Sequence, residues 1–280
     1  MKRLNSFYSF LIITFIFSSG NLFLSAENHV NSIFLDEALE AAVKKQAFTS
    51  KDLTQKDLER ISTLKLRNVG LQDLKGLEKC VNLAALDLGN NKISDLSPLK
   101  DLKLLQTVDL SNNQISNLEP LAGLSKLQYL KLDNNQISDL GPLQKLTSLN
   151  SLYLANNKIT AIDPLSNLLK LWSLYLQKNT VSNIIPLKHL KWLSALDLSD
   201  NNISELGPFS SLTEIRYLIL NNNQISNLEP LIAICKKDFT GEKAFSPYLR
   251  LYLSGNPLRP QAANEQITQL KSFGVRIEFK

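Results

Sequence analysis

The sequence predicts an α/β solenoid in which one short unit is repeated along most of the 280 residues. Asparagine recurs every 22 residues through the body of the chain, and proline recurs at the same step seven residues later. The asparagines are Asn91, Asn113, Asn135, Asn157, Asn179, Asn201 and Asn223, and the prolines are Pro98, Pro120, Pro142, Pro164, Pro186, Pro208 and Pro230. Self-similarity at a fixed period of this length is typical of repeat architectures, in which each unit contacts its neighbours.

The leucines around each asparagine identify the type of repeat. Residues 83–93 read L-x-x-L-x-L-x-x-N-x-I, and apolar residues follow at Leu96, Leu99 and Leu102. These seven positions stay apolar in all seven asparagine-bearing units. The pattern therefore predicts a right-handed leucine-rich repeat horseshoe.

Each unit is expected to supply one short strand with a buried face. In L-x-L the two leucines share one face of a strand, and the residue between them points the other way. Stacked units then pair in parallel and form a concave β-sheet. Proline removes a backbone donor and fixes φ, which favours an irregular or 3-10 segment on the convex side and argues against a long helix there.

The recurrent asparagine has a structural interpretation. It follows the strand at the point where the chain turns inward, and its amide can both donate to and accept from backbone groups that the turn removes from water. The expected structural ladder comprises Asn91, Asn113, Asn135, Asn157, Asn179, Asn201, Asn223 and Asn256.

The two ends of the chain differ from the repeats. Residues 1–26 begin with Lys2 and Arg3, continue with an apolar run and end in small residues, which is the layout of a signal peptide cleaved after Gly20 or Ala26. An uncleaved membrane anchor is the alternative. Residues 27–60 are expected to form a helical N-terminal cap, with a helix after Asp36 and a capping box that begins at Thr54.

The repeats are expected to span residues 61–258, in about nine units. The last unit follows its predecessor by 33 residues instead of 22, so we expect an insertion near residues 235–247. Residues 259–280 are expected to form a C-terminal cap of one helix and one strand. Beyond the signal peptide no apolar stretch is long enough to span a bilayer.

Composition argues against several functional classes. The formal net charge is +5, and +3 without Lys2 and Arg3, which gives little support for nucleic-acid binding. The chain has two cysteines and two histidines, and it contains no glycine-rich phosphate loop and no metal-ligand cluster. We therefore expect no enzymatic activity, no catalytic residues, no metal and no cofactor.

The concave face offers the candidate binding residues. Two positions in each unit point out of the sheet, and aromatic side chains of the kind that anchor protein interfaces cluster there. Asp87 and Asp109 suggest an acidic N-terminal end of this face. The full candidate set is Tyr129, Tyr153, Trp172, Tyr175, Tyr217, Tyr252, Asp87, Asp109, Lys131 and Asp197. A preference of tyrosine for strands would explain the aromatic residues without any binding role.

The chain resembles the internalin-like leucine-rich repeat proteins of bacteria. The resemblance rests on the repeat form of residues 91–99, N-K-I-S-D-L-S-P-L, and on the helical cap and signal peptide expected before the repeats. The resemblance covers roughly residues 33–258. It implies a secreted, surface or periplasmic protein whose concave face binds a protein partner, for example a host or surface receptor. We expect neither the LPxTG sorting signal nor the immunoglobulin-like domain of larger members in this chain.

Two other functions stay open at this stage. A periplasmic or envelope scaffolding protein would use the same face for a bacterial partner. An intracellular regulator similar to the phosphatase-regulating proteins with 22-residue repeats is disfavoured by the signal peptide. For each of these functions we expect a monomer that binds no nucleic acid and has no membrane span after signal cleavage.

Overall fold

A computed structural model describes residues 33–278, so the expected signal peptide lies outside the described residues. Ten short strands form one parallel sheet whose spatial order follows the sequence. They are β1 (Thr63–Lys65), β2 (Ala85–Asp87), β3 (Thr107–Asp109), β4 (Tyr129–Lys131), β5 (Ser151–Tyr153), β6 (Ser173–Tyr175), β7 (Ala195–Asp197), β8 (Tyr217–Ile219), β9 (Arg250–Tyr252) and β10 (Arg276–Glu278). The predicted leucine-rich repeat solenoid is confirmed.

The register of the sheet follows from the repeat length. Each residue of β1 to β7 pairs with the residue 22 positions later, as Leu130 does with Leu152. The middle residue of each of these strands points into the core, and Leu130 and Leu152 are completely buried. Stacking buries these leucines in one continuous apolar core that a single unit could not form alone.

The asparagine amides link each unit to the unit before it. The Asn135 Nδ2 donates to the carbonyl oxygens of Leu110 and Leu132, at 3.0 Å each, and its Oδ1 accepts from the N–H of Ile115 at 3.0 Å. The other ladder asparagines make the same pattern of bonds, down to Asn256. These side chains satisfy backbone groups that face the core instead of a neighbouring strand.

The residue one position before each ladder position, such as Asn134 before Asn135, adopts the left-handed backbone conformation. These residues form a second column along the repeats. Its φ values lie between 52° and 72° in successive units. Asparagine tolerates this region better than most residues because its side chain forms local hydrogen bonds, and glycine has no Cβ to clash. The column comprises Asn68, Asn90, Asn112, Asn134, Asn156, Lys178, Asp200, Asn222 and Gly255.

The convex side returns through short 3-10 segments, most of which carry the repeated proline in their first turn. They are Leu77–Lys79, Ser97–Leu99, Glu119–Leu121, Gly141–Leu143, Asp163–Asn167, Ile185–His189, Gly207–Ser211 and Ser246–Tyr248. This agrees with the segment type that the prolines predict. Helix α3 (Glu229–Thr240) is the exception, because the prediction argued against a long convex helix. Pro230 lies in its first turn, where a missing N–H breaks no helical bond.

Helices pack at both ends of the sheet. In α1 (Glu37–Gln46) the carboxylate of Asp36 accepts from the first-turn N–H groups, and α2 (Gln55–Glu59) begins with the expected capping box between Thr54 and Asp57. At the other end α4 (Pro260–Ser272) leads into β10, which pairs with β9 and extends the sheet beyond the last asparagine-bearing unit.

Both cysteines are free and fully buried. Cys80 and Cys235 are at most 1% exposed. Burial raises the pKa of each thiol to about 12, so both remain protonated at neutral pH. They act as small apolar core residues at opposite ends of the repeats.

Candidate functional site

The concave face is the surface of the sheet opposite the leucine core. It is made of the first and third residues of each strand, which alternate with the buried middle residue. Of the predicted site residues, Asp87, Asp109, Tyr129, Lys131, Tyr153, Tyr175, Asp197, Tyr217 and Tyr252 lie at these positions. Trp172 lies directly before β6.

Three tyrosine rings form a continuous ladder across the centre of this face. The rings of Tyr153 and Tyr175 stack with centroids 4.7 Å apart and an interplanar angle of 5°. Tyr129 lies on the other side of Tyr153, at 5.2 Å and a tilt of 44°. The first pair lies directly across β5 and β6, and the second is a diagonal pair across β4 and β5. The sequence placed these rings on one face but did not indicate that they touch.

Polar groups border the tyrosine ladder on its N-terminal side. The Lys131 Nζ lies 5.9 Å from the centroid of the Tyr153 ring and 3.8 Å from a carboxylate oxygen of Asp133. Asp133 also accepts from the N–H of Ala155 at 2.8 Å. Burial raises the pKa of Asp133, and burial together with the neighbouring acidic groups raises the pKa of Tyr129 to about 12. The Tyr129 hydroxyl is therefore neutral and available as a hydrogen-bond donor at physiological pH.

The N-terminal end of the face, expected to be acidic from Asp87 and Asp109, also holds the cation of Arg67. The guanidinium Nη1 of Arg67 lies 2.8 Å from Asp87 and 2.7 Å from Asp109, so one cation bridges both carboxylates. Burial opposes ionisation of Asp109, but hydrogen bonds from Ser111 and Arg67 outweigh it and hold its pKa below the ordinary value. Arg67 lies two residues beyond β1, outside the two outward-facing positions of each unit, so the strand pattern did not indicate it.

Asp197 lies beyond the tyrosine ladder, and no cation of residues 33–278 forms an ion pair with it. Its carboxylate accepts from the N–H and the hydroxyl of Ser199, at 2.9 and 2.7 Å. Burial raises its pKa even so. Asp197 therefore has its hydrogen bonds within its own turn. The third residue of the strand is aromatic in β6, where it is Tyr175, and acidic in β7, where it is Asp197.

The remaining predicted aromatic residues lie outside the ladder. Trp172 is 56% exposed at the edge of the sheet. Tyr217 is 44% exposed, and the guanidinium carbon of Arg250 lies 5.5 Å from its ring centroid. Tyr252 is half-buried beside Ile219 of the neighbouring strand. The structure thus divides the predicted aromatic set into a central ladder and separate residues towards the C-terminal end.

Residues 33–278 contain neither a cluster of metal-binding side chains nor a membrane-spanning helix. No group of three or more His, Cys, Asp or Glu side chains in this part of the chain is arranged to hold a metal ion. No helix in the same range combines the length and apolarity of a membrane span.

Comparisons with known proteins agree with this architecture. A family model described as leucine-rich repeats in two copies matches residues 59–101, 103–145, 125–167 and 191–233, which together cover more than half of the chain. No curated protein matches the sequence.

Several solved structures share the fold. Internalin C2 from Listeria monocytogenes is 38% identical, with a TM-score of 0.56, over 65% of this chain and 92% of its own. A leucine-rich repeat protein of Leptospira interrogans has a TM-score of 0.63 at 22% identity, over 80% of this chain and 62% of its own.

A plant protein shows the same fold. The ectodomain of the Arabidopsis thaliana membrane receptor kinase GASSHO1/SCHENGEN3, in complex with Casparian strip integrity factor 2, has a TM-score of 0.63 at 23% identity, over 80% of this chain and 28% of its own. The repeat pattern, the parallel sheet and the match to internalin C2 together show that this chain belongs to the leucine-rich repeat family, as an internalin-like bacterial member.

Proposed function

We propose that this protein is exported and binds a protein partner through the concave face. The observation that carries the proposal is the ladder of Tyr129, Tyr153 and Tyr175, whose rings touch in sequence across three adjacent strands. All three side chains are only half-buried in the folded chain, so part of each ring is open to solvent.

The physical chemistry of the ladder suits an interface. Tyrosine offers a large apolar ring and a hydroxyl, with few rotatable bonds to immobilise on binding, which is why it is enriched at binding hot spots. Stacking orders these rings before a partner arrives, so less conformational entropy is lost on association. The parallel sheet beneath them is anchored by the buried leucines, such as Leu152 and Leu174.

Export rests on the expected signal peptide in residues 1–26 and on the resemblance to internalins. We would test it by treating intact cells with a protease and by blotting the culture medium. Digestion on intact cells, or release into the medium, is the expected result. Protection until the cell envelope is opened would contradict an outward-facing binder and favour a scaffolding role in the envelope.

Binding is tested by removing the two stacked rings. The protein would be immobilised and exposed to culture supernatant, envelope extract and host-cell surface proteins, and retained proteins would be identified by mass spectrometry. The double variant Tyr153→Ala/Tyr175→Ala is expected to weaken binding by about 30-fold or more, which corresponds to at least 2 kcal/mol lost at a hot spot.

A matched control removes two exposed aromatic rings elsewhere. Phe48 and Trp192 are both exposed and lie outside the strands. The variant Phe48→Ala/Trp192→Ala is expected to retain the same proteins as the unmodified chain. Equal retention by both double variants would contradict the tyrosine site.

A further inference from the structure

A cluster of arginines marks the C-terminal end of the concave face. Arg216, Arg250 and Arg276 line one recess together with Tyr217 and Tyr248. The recess measures about 880 Å³ with its solvent-open mouth included, which is room for several side chains. It is separate from the tyrosine ladder, since none of the ladder residues lines it.

The strand register brings these cations together. Arg250 and Arg276 are the first residues of β9 and β10 and pair directly across the two strands, so their backbones are one strand spacing apart, about 4.8 Å. Arg216 directly precedes β8, the next strand of the sheet. Three cations therefore lie at, or directly before, the first residues of three consecutive strands at one edge of the face.

The aromatic rings hold two of the guanidinium groups. The guanidinium carbon of Arg216 lies 4.7 Å from the ring centroid of Tyr248, and that of Arg250 lies 5.5 Å from the ring centroid of Tyr217. Stacking of this kind orients an arginine but does not neutralise its charge. Within residues 33–278 no carboxylate pairs with these guanidinium groups, so the donors at the edge of each guanidinium plane can bind an oxyanion in a bidentate manner.

No acidic group of the described chain neutralises the cluster. Among residues 33–278, no carboxylate lies within 4.0 Å of these three guanidinium groups. The acids adjacent in sequence are Glu214 and Glu278, and neither forms an ion pair with them. Neighbouring like charges without a counter-ion raise the free energy of the unbound protein, and an anionic ligand would relieve this repulsion.

We infer that the recess of Arg216, Arg250 and Arg276 binds an acidic segment of a polypeptide, through the carboxylates of aspartate or glutamate side chains. The inference rests on the proposed function, because it assigns one end of the concave face to part of a protein partner. Charge complementarity identifies the occupant: three unpaired cations at one edge of the face match a short acidic segment.

The rest of the face argues for a polypeptide instead of a long polyanion. At the N-terminal end Arg67 is paired with Asp87 and Asp109, and Lys131 lies beside Asp133. The centre of the face is formed by uncharged tyrosines. A nucleic acid or a sulfated polysaccharide would require a continuous basic track. Among the described residues of this face, the unpaired cations are instead the three arginines of the recess and Lys65 at the opposite end of the sheet.

The test measures binding of a short fluorescent polyglutamate peptide by anisotropy, at low and at physiological ionic strength. The double variant Arg250→Gln/Arg276→Gln is expected to bind it at least tenfold more weakly than the unmodified protein at low ionic strength. A matched control, Lys65→Gln/Lys92→Gln, removes the same charge from exposed positions at the N-terminal end and is expected to bind as the unmodified protein does.

Three results would overturn the inference. The first is no binding of the peptide by the unmodified protein at low ionic strength. The second is an equal loss of affinity for the peptide in both double variants. The third is that a heparin oligosaccharide or a single-stranded DNA binds the unmodified protein more tightly than the peptide does, and that the arginine variant abolishes this binding. Circular dichroism of each variant would establish that it is folded.

The two proposals fail separately. Tyr153→Ala/Tyr175→Ala is expected to bind the polyglutamate peptide normally, because its substitutions lie outside the recess. If the unmodified protein binds the peptide as expected but the tyrosine variant retains partner proteins normally, the arginine site is supported and the tyrosine site is contradicted. If the tyrosine variant loses partner proteins but the unmodified protein does not bind the peptide, only the arginine site is contradicted.

Discussion

Asp109 and Asp197 occupy equivalent positions of β3 and β7 and accept the same hydrogen bonds from a following serine, yet their pKa values are shifted in opposite directions. Each carboxylate accepts from the N–H and the hydroxyl of the serine two residues later. Burial disfavours the charged form of both. Arg67 bonds Asp109, so the pKa of Asp109 lies below its ordinary value, whereas burial without a cation raises the pKa of Asp197.

This contrast predicts opposite effects of the same substitution. Asp109→Asn is expected to lower the free energy of unfolding by about 1 kcal/mol at pH 7, because the partly exposed ion pair with Arg67 is lost. Asp197→Asn keeps an oxygen to accept from Ser199 and removes a desolvated charge, so it is expected to leave stability unchanged or raise it. Urea unfolding of both variants at pH 7 measures the difference.

The pH dependence follows from the same shifts. A carboxyl whose folded pKa is lowered stabilises the protein above its unfolded pKa of about 3.9, and the stabilisation is lost as the pH falls through the folded pKa. The cost of Asp109→Asn should therefore disappear at strongly acidic pH. A raised folded pKa has the opposite sign: the cost of burying the charged Asp197 is relieved as the pH falls through its folded pKa towards the unfolded value of about 3.9. Equal destabilisation by both variants at pH 7 would contradict the role given to Arg67.

The asparagine ladder leads to a larger effect on stability. Asn135→Leu would remove the acceptor of the Ile115 N–H and one of the two asparagine donors of the Leu110 and Leu132 carbonyls, which keep their bonds from Asn113 and Asn157. The unpaired N–H costs about 1–3 kcal/mol and each of the two other lost hydrogen bonds about 1 kcal/mol, so the free energy of unfolding is expected to fall by about 3 kcal/mol. Chemical denaturation followed by circular dichroism measures it.

Gln136 provides the matched control for the ladder. It is the next residue along the chain, and its side chain is exposed. Gln136→Leu is expected to change the free energy of unfolding by less than about 0.5 kcal/mol, as for other surface substitutions. A similar loss of stability in the two variants would mean that the amide bonds of Asn135 are not the source of the effect.

The fold was predictable from the sequence because a repeated spacing carries the same information many times. Apolar positions such as Leu86 and Leu88 define the strand, and the asparagine that follows defines where pairing ends. The 12-residue helix α3 was not predicted, because Pro230 was interpreted by analogy with the other units. In this unit the extra residues allow a regular helix to continue from the proline.

The candidate site was predictable only as a set of positions. Alternation in a strand places Tyr153 and Tyr175 on the same face, but contact between their rings depends on side-chain rotamers. Arg67 and the cluster around Arg250 were missed because their partners lie on other repeats, 20 or more residues away in sequence. Counting charges along one column does not reveal which of them are paired.

The left-handed column predicts a substitution that stabilises the protein. Lys178 has a φ of 57° at a position where most other units carry asparagine. Neighbouring members of the column bond to each other across repeats, as Asn156 Nδ2 does to Asn134 Oδ1 at 2.8 Å and Asn134 Nδ2 to Asn112 Oδ1 at 2.7 Å. Lysine lacks the short side-chain amide that bonds locally in this conformation and that, in the asparagine-bearing units, donates to the preceding member of the column.

Lys178→Asn is therefore expected to raise the free energy of unfolding by about 1 kcal/mol, through reduced backbone strain and one added hydrogen bond to Asn156. Lys178→Ala is the matched control. It removes the same charge but retains a Cβ without a polar group, so it should give no gain. Thermal and urea unfolding of both variants would measure the difference. A gain of the same size in Lys178→Ala would show that removal of the charge, and not the left-handed conformation, limits stability at this turn.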